Sequence, residues 1–270
     1  MAILETEAVV LKVWRMGETS KILSLYTRDS GKIKVVAKGG RNPKSPFRGC
    51  LEPLTHIRVI YYDKRTRDLQ LLSKADLVDP HVHMIGNMER TTLGLSAAEL
   101  VDRAVAGEES FPPIFDLLIS VLQTFNEQEG FLEGILWYFE SHFIDLMGYK
   151  PKWDHCLDCN QSLGREGGFF QPQSGGLLCS RCGLQKGGLV VGGETLEILF
   201  WLQRYLLEES VHLEPSLNQK LEIRKMFDLY FKTHIDHMPS LKSLGFYYAF
   251  INDSSERKNE SHVMSIHKMK

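Results

Sequence analysis

Along residues 1–80 apolar and polar positions tend to alternate. From about His83 onward apolar positions recur every three or four residues. A period of two is the mark of a half-buried strand and a period near 3.6 that of an amphipathic helix, so the chain divides into a β-rich first part and a helical second part. Five strands are predicted in the first part. They are the β-branched run Ala8 to Val13, then Ile22 to Tyr26, then Gly31 to Ala37 after the turn Arg28-Asp29-Ser30-Gly31. Thr55 to Tyr62 follows, with Ile57, Val59 and Tyr61 on one face, and last Leu69 to Val78. Five short strands separated by turn signals suit a small antiparallel barrel, and a five-stranded OB-fold is the expected form.

The helical part begins with Met88 to Val105. Pro112-Pro113 can open a second helix running to about Phe125, since proline is tolerated in a first turn. A stripe of Leu132, Ile135, Leu136, Phe139, Phe143, Leu146 and Met147 ends at Gly148, the expected stop. Two more helices are predicted at Glu194 to Glu208 and Leu217 to His234, and the polar segment from Asn252 is expected to be disordered. The chain therefore reads as α+β and multidomain. Residues 1–80 form a barrel, 81–251 a helical domain interrupted by an excursion at 153–189, and 252–270 a tail. There is no internal repeat.

The excursion carries the sharpest chemistry. Cys156, Cys159, Cys179 and Cys182 form two C-x-x-C pairs with 19 residues between them. Two tight turns, each presenting two thiolates, supply the tetrahedral sulfur set that zinc prefers. The stretch is rich in glycine, including Gly175, Gly176, Gly183, Gly187 and Gly188, and looks poor in core residues. A metal is therefore expected to organise it. Four sulfurs leave no open coordination position, so one structural Zn2+ is expected and no metal catalysis. Disulfides would need an oxidising compartment. The opening MAILETEAVV has two acids and no basic stretch ahead of an apolar run, so no secretory leader is expected. A zinc deaminase is excluded because the H-x-E at His212–Glu214 lies after all four cysteines and no proline precedes either pair. The fifth cysteine, Cys50, reads as a small buried hydrophobe.

Charge changes the picture once it is divided. The formal net charge is −2, yet residues 1–80 hold 15 Lys and Arg against 9 Asp and Glu, and the remainder holds 17 against 25. Between Lys12 and Arg48 ten basic residues meet two acids, Glu18 and Asp29. A basic module on an acidic body points to a polyanion partner met by the first domain. On the third strand Lys32, Lys34 and Lys38 share a parity, while Ile33, Val35 and Ala37 take the other. The next stretch, KGGRNPKSPFRG, reads as a flexible loop with Arg41, Lys44 and Arg48. Lys32, Lys34, Lys38, Arg41, Lys44 and Arg48 are thus the candidate DNA-binding residues, tracking phosphates. Trp14 and Tyr26 are available for base stacking, but each sits in an apolar strand and is read first as core.

Catalytic signatures are missing. There is no phosphate loop, since Gly39-Gly40-Arg41 lacks the spacing and the terminal Lys-Ser/Thr, and there is no G-x-S-x-G or H-E-x-x-H. His81, His83, His234 and His237 read as surface or capping residues, and Glu108-Glu109 and Glu208-Glu209 as solvated helix ends. No apolar stretch is long enough to span a membrane.

Three segments carry a resemblance. ETEAVVLKVWRMGETSKILSLYTRDSGKIKVVAKGGRNPKSPFRGCLEP, LMGYKPKWDHCLDCN and GGLLCSRC are similar to the bacterial DNA repair protein RecO family, over essentially the whole length and in the family's order. The resemblance implies an OB-fold that binds single- and double-stranded DNA and anneals complementary strands, and a non-enzymatic, ATP-independent recombination mediator in the cytoplasm. It implies RecR, the acidic C-terminal tail of the single-stranded DNA-binding protein, and RecA, reached indirectly, as partners. Some family members lack the cysteines. A pocket for the acidic tail must be a local basic and apolar patch, for which Arg204, Arg224 and Lys225 are candidates. Two rival readings stand beside it. One is a zinc-ribbon RNA-binding or transcription-associated module. The other is a nuclease, which would need an acidic metal cluster that the basic region does not offer.

Overall fold

In a computed structural model of the chain, residues 2–251 are described apart from 65, 108, 164, 165, 236 and 237. The expected tail 252–270, Glu108 and His237 lie outside the described residues. Five strands, β1 (Ala2–Met16), β2 (Ser20–Thr27), β3 (Gly31–Ala37), β4 (His56–Asp63) and β5 (Gln70–Asp79), close into a barrel in the order β1-β2-β3-β5-β4. All neighbours are antiparallel except β3 and β5, which meet in parallel through Val35↔Gln70 and Val36↔Leu71. β1 is longer than the predicted Ala8 to Val13 because its two halves serve different neighbours. Ala2–Val9 pairs with β4 and Ala8–Met16 with β2, with a bulge between Val10 and Lys12.

The barrel interior is filled by Ala8, Val10, Leu23, Leu25, Ile33, Val35, Ile57, Val59 and Tyr61. The loop after β3 is not the flexible segment that its glycines and prolines suggest. Phe47, Cys50 and Leu51 plug the same core, and consecutive turns bind the loop together through Gly40 N→Ala37 O, Asn42 N→Gly39 O and Ser45 N→Asn42 O. Cys50 is buried, as expected.

The helical part packs α1 (Met88–Ala104), α2 (Pro112–Glu127) and α3 (Leu132–Leu146) with α5 (Gly193–Leu202), α6 (Leu217–His234) and α7 (242–251). The boundaries follow local chemistry. The Asn87 side chain accepts from Arg90 N at the start of α1. Ser216 and Gln219 form a reciprocal capping box on α6, and Pro112 opens α2. Gly148, just past α3, has φ +85. α5 stops six residues short of the predicted Glu208. Leu207 and Val211 turn into the core through a 3₁₀ segment, Leu207–His212, so close to α3 that a Cβ on Gly134 would stand 2.1 Å from Ser210 O.

Barrel and helices share a core. Val9, Leu11, Tyr26 and Leu54 belong with Leu93, Ala97, Val101 and Phe115. Polar ties join the same faces: Ser24 Oγ donates to Asp102 Oδ1 at 2.7 Å, Tyr26 OH donates to Phe111 O, and Arg28 pairs with Asp116 at 3.1 Å. His81 is buried here, contrary to its reading as a surface residue. β5 ends at Asp79, whose carboxylate accepts from His81 N at 2.7 Å. The turn at φ +49 carries the ring inward to 2.8 Å from Leu54 O.

The excursion is also not poor in core. It forms a sheet β6-β8-β7-β9, from β6 (Lys152–Cys156), β7 (Gly168–Gln171), β8 (Gly176–Leu178) and β9 (Leu189–Val191), with α4 (Ser180–Lys186) between the last two. Trp153, Phe170, Leu177 and Val191 are buried in the helical core, and Phe170 packs on Tyr230 at 5.6 Å. His234, at the end of α6, holds Pro172 O at 2.7 Å. Few apolar residues suffice because they include Trp153 and Phe170 and are placed on the existing body.

α3 also buries two acids. Tyr248 OH donates to Glu133, and Glu140 is 3% exposed. Burial, with repulsion from Glu133 and Asp228, pushes the Glu140 carboxyl well above its ordinary range. A raised folded-state value means that the folded protein holds a proton which the unfolded chain has already lost. Its contribution to stability is therefore full below the unfolded value and is lost as pH rises through the folded one. Glu140→Gln, which mimics the protonated form, is expected to be more stable than the parent at pH 8, by a margin that shrinks toward pH 5. The slope cannot exceed about 1.4 kcal/mol per pH unit for one proton. Urea melts at a series of pH values measure it, and a margin independent of pH would refute the assignment.

Candidate nucleic-acid interface and cysteine cluster

The basic residues converge where the β1–β2 hairpin meets the loop after β3. The hairpin turns at Gly17, with φ +57, and places Arg15 directly across from Lys21. Arg41 is fixed against this turn. Its backbone N donates to Thr19 O at 2.8 Å, and its guanidinium donates to Gly17 O at 3.1 Å and Glu18 O at 2.8 Å. Lys21 pairs with Glu52 at 2.8 Å. A groove of about 440 Å³ is lined by Val13, Trp14, Arg15, Lys21, Gly40, Arg41 and Glu52. A second, of about 300 Å³, shares Lys21, Gly40 and Glu52 and runs on past Phe47 to Arg48. Together they make one track from Trp14 to Arg48. Gly40 packs closely in its floor: a Cβ there would stand 2.8 Å from Leu51 Cδ1 and 3.1 Å from Ala37 O, so Leu51 would have to shift.

Of the six residues singled out in the sequence, Lys34, Lys38, Arg41, Lys44 and Arg48 are exposed, and Arg41 and Arg48 line the track. Lys32 departs from the expected row. It is half-buried and its ammonium donates to Asp102 O of α1. Burial pulls that ammonium below the usual lysine range, the nearby Asp102 opposes the shift and Lys34 adds to it. Its parity was read correctly, but Lys32 faces Tyr26 across the ladder, in the part of that face which α1 covers. The sequence reading missed Arg15, Lys21 and Glu52. The hairpin register, countable from the Gly17-Glu18-Thr19 turn, was the signal for the first two. It also read Trp14 as core: Tyr26 is fully buried, but Trp14 is 37% exposed.

The four cysteines come together. Cys156 ends β6, Cys159 follows in a turn closed by Asn160 N→Cys156 O, Cys179 precedes α4 and Cys182 lies in its first turn. Their sulfurs all lie within 4.8 Å of one another, and Cys159 Sγ stands 3.7 Å from Cys179 Sγ. Four sulfurs on a tetrahedron around an ion at ~2.3 Å are spaced about 3.8 Å apart, so the set has the size that such an ion needs. Lys186 and Asp158 clasp the two knuckles at 2.6 Å. Burial raises the Cys156 thiol, but backbone N–H groups of Cys159, Cys179 and Asp158 outweigh it and bring the thiol to about 6. Cys182 is pushed up to about 12 by burial and by its sulfur neighbours. Four adjacent thiolates require a cation to coexist, and this cluster could hold one. His155 points elsewhere, to Asp154 at 3.2 Å. Among the described residues no other group of three or more such side chains is close enough to share an ion.

A further groove, of about 400 Å³, opens on the helical body between α3, α6 and α7. Leu136, Trp137, Leu221, Phe231, Leu241 and Leu244 line it, and Arg224 and Lys225 bring positive charge to it, while Lys232 is paired at 2.7 Å with Asp228, which also lines it. Arg224 lies 3.6 Å from the Tyr248 ring. Arg204 is not among the lining residues and stacks on Phe200 instead. No described helix is long and apolar enough to cross a membrane.

Comparison with known proteins matches the chain to two family models, Recombination protein O N terminal over residues 1–81 and Recombination protein O C terminal over residues 86–245. The chain belongs to the recombination protein O family. Proteins called DNA repair protein RecO resemble it along most of their length. The one from Nocardioides sp. is 31% identical over 246 residues, covering 89% of this chain and 97% of its own. The one from Chloroherpeton thalassium is 28% identical, covering 88% and 95%. The one from Salinibacter ruber is 35% identical over 57% and 59%. Family membership gives the chain a role in DNA repair, and the resemblance read from the three sequence segments is borne out.

Proposed function

We propose that the protein is a recombination mediator whose barrel, residues 1–80, is an OB-fold that binds single- and double-stranded DNA and anneals complementary strands without ATP. The observation that supports this best is the track from Trp14 to Arg48, where exposed cations line a groove on a family-matched barrel. Lys34, Lys38, Arg41, Lys44 and Arg48 contact phosphates, and Lys32 is released from that role to hold α1. Neutralising two strands on one surface lowers their repulsion and so favours annealing. With RecR, the mediator then helps to load RecA onto DNA coated by the single-stranded DNA-binding protein. Its place of action is the cytoplasm, at the DNA.

Five phosphate contacts give single-strand binding a log–log salt slope near −3.5, at about 0.7 per contact. Changing Lys38, Arg41, Lys44 and Arg48 together to alanine is expected to bring the slope toward about −0.7 and to abolish annealing of coated complementary oligonucleotides. Fluorescence anisotropy and an annealing assay read the two effects. Unchanged annealing by the variant would move the DNA surface elsewhere, and a preference for RNA over DNA would favour the zinc-ribbon reading.

The helical body, residues 81–251, takes the acidic C-terminal tail of the single-stranded DNA-binding protein in the groove of Arg224, Lys225 and Lys232. An apolar floor with a basic rim suits a peptide that carries both acids and apolar side chains. Arg224→Glu with Lys225→Glu is expected to weaken binding of a labelled tail peptide at least about tenfold and to leave single-strand DNA binding intact. Equal losses in both assays would argue against separate sites.

Cys156, Cys159, Cys179 and Cys182 hold one structural zinc ion. The ion would neutralise the thiolates and lock the two knuckles, with no share in DNA chemistry. Cys179→Ala is expected to reduce bound zinc from one per chain to near zero by atomic absorption. It should lower the melting temperature while DNA affinity stays within about twofold, since a closed four-sulfur site supports only the fold. Equal loss of stability and DNA binding would refute the modular arrangement.

A further inference from the structure

We propose that Trp14 is a base-stacking platform that lets the groove prefer single-stranded over duplex DNA. This inference rests on the DNA-binding reading above and adds to it the residue that discriminates between strand types.

The placement of Trp14 follows from β1. At Ala8 and Val9 the strand is paired on both edges, by β4 and by β2. The last main-chain ties on the β4 side are Val10 N→Thr55 O and Leu54 N→Val10 O. From Lys12 to Met16, β2 is the only described strand that pairs with it. The bulge between Val10 and Lys12 resets the side-chain alternation, and Lys12, Trp14 and Met16 all emerge exposed. Trp14 therefore sits on a hairpin extension beyond the two cores, stiffened by its pairing with Ile22.

An indole left 37% exposed forgoes burial that the other tryptophans largely obtain. Trp137 and Trp153 are buried, and Trp201 stacks on Tyr205 at 4.8 Å. The surroundings of Trp14 are cationic. Lys12 Nζ lies 5.0 Å from the ring centroid, and the groove that the ring helps to line also holds Arg15, Arg41 and Lys21, the last paired with Glu52. An apolar ring face beside fixed cations is the arrangement that grips single strands: the cations follow the phosphates while a base lies on the ring. Duplex DNA offers the phosphates but keeps its bases paired and stacked, so the cations serve both forms and the ring serves one.

The test uses the full-length protein with a fluorescein-labelled oligo-dT and a duplex of equal length. Trp14→Ala is expected to weaken oligo-dT binding about fivefold or more, the range set by loss of one base–aromatic stack. Duplex affinity should stay within about twofold, and the salt slope for oligo-dT should not change, because no phosphate contact is lost. Trp14→Phe should recover most of the affinity. Unlabelled oligo-dT should quench the wild-type tryptophan emission and leave that of Trp14→Phe unaltered. Parent-like binding of oligo-dT by Trp14→Ala would overturn the proposal, and so would equal losses for oligo-dT and duplex. Failure of the underlying reading looks different: the wild type itself would bind neither DNA, or bind with no salt dependence, and both conclusions would then fall.

Discussion

The architecture depends on one stretch of strand that is buried on both faces. Ala8, Val9, Val10 and Leu11 are each 4% exposed or less. Ala8 and Val10 point into the barrel, while Val9 and Leu11 point into the helical core with Tyr26 and Leu54. A strand in this position reads as an unbroken apolar run without alternation. Because the two cores take alternate residues of one four-residue stretch, the barrel has no independent outer surface on that side, and α1 is held against it by Ser24 and Lys32, which both reach Asp102. Two features of the basic end follow. The covered third of the lysine face cannot bind a polyanion, which removes Lys32 from it. The bulge just after Val10 ends the double burial and turns the rest of β1 toward solvent, where the groove begins.

Much of this was legible in the sequence. Strand and helix assignments rest on local periodicity, and four helices and all five strands lie close to their expected places. The cysteine cluster was legible because tetrahedral coordination demands a recognisable spacing. The misreadings share a cause. Parity along β3 tells which side Lys32 takes, but not that α1, some seventy residues later, lies over it. His81 and Trp14 are mirror images: a polar ring drawn in by a turn at Asp79, and an apolar ring put out by a bulge. Neither event has a local signature strong enough to overrule the habit that polar is outside and apolar inside. α5 ends early for a similar reason, since the close approach of Ser210 to Gly134 is a tertiary matter.

The excursion shows how a metal and a core can divide the work. Its glycines suggested a segment that only an ion could organise, yet Trp153, Phe170, Leu177 and Val191 dock it on α6, and His234 ties it down by Pro172. What remains for an ion is local: four sulfurs whose charges must be compensated, on two turns already clasped by Lys186 and Asp158. On this division, the ion's loss loosens the knuckles without releasing the sheet, and the barrel's basic end, which shares no residue with the cluster, keeps its shape.

Net charge is a poor guide to where basic charge gathers on this chain. Residues 81–270 carry an excess of acids, but the groove between α3, α6 and α7 sets Arg224 and Lys225, with the Lys232–Asp228 pair, around an apolar floor. At physiological ionic strength charges separated by more than about 8 Å are largely screened, so an approaching peptide responds to the rim and not to the whole body. The same screening separates the two basic sites of the molecule. The barrel track presents cations in a line beside an exposed indole, which suits a flexible strand of phosphates and bases. The helical groove presents them around a hydrophobic hollow, which suits a short peptide. On the proposed function both attract polyanions, and what tells the ligands apart is the shape of the apolar surface between the charges.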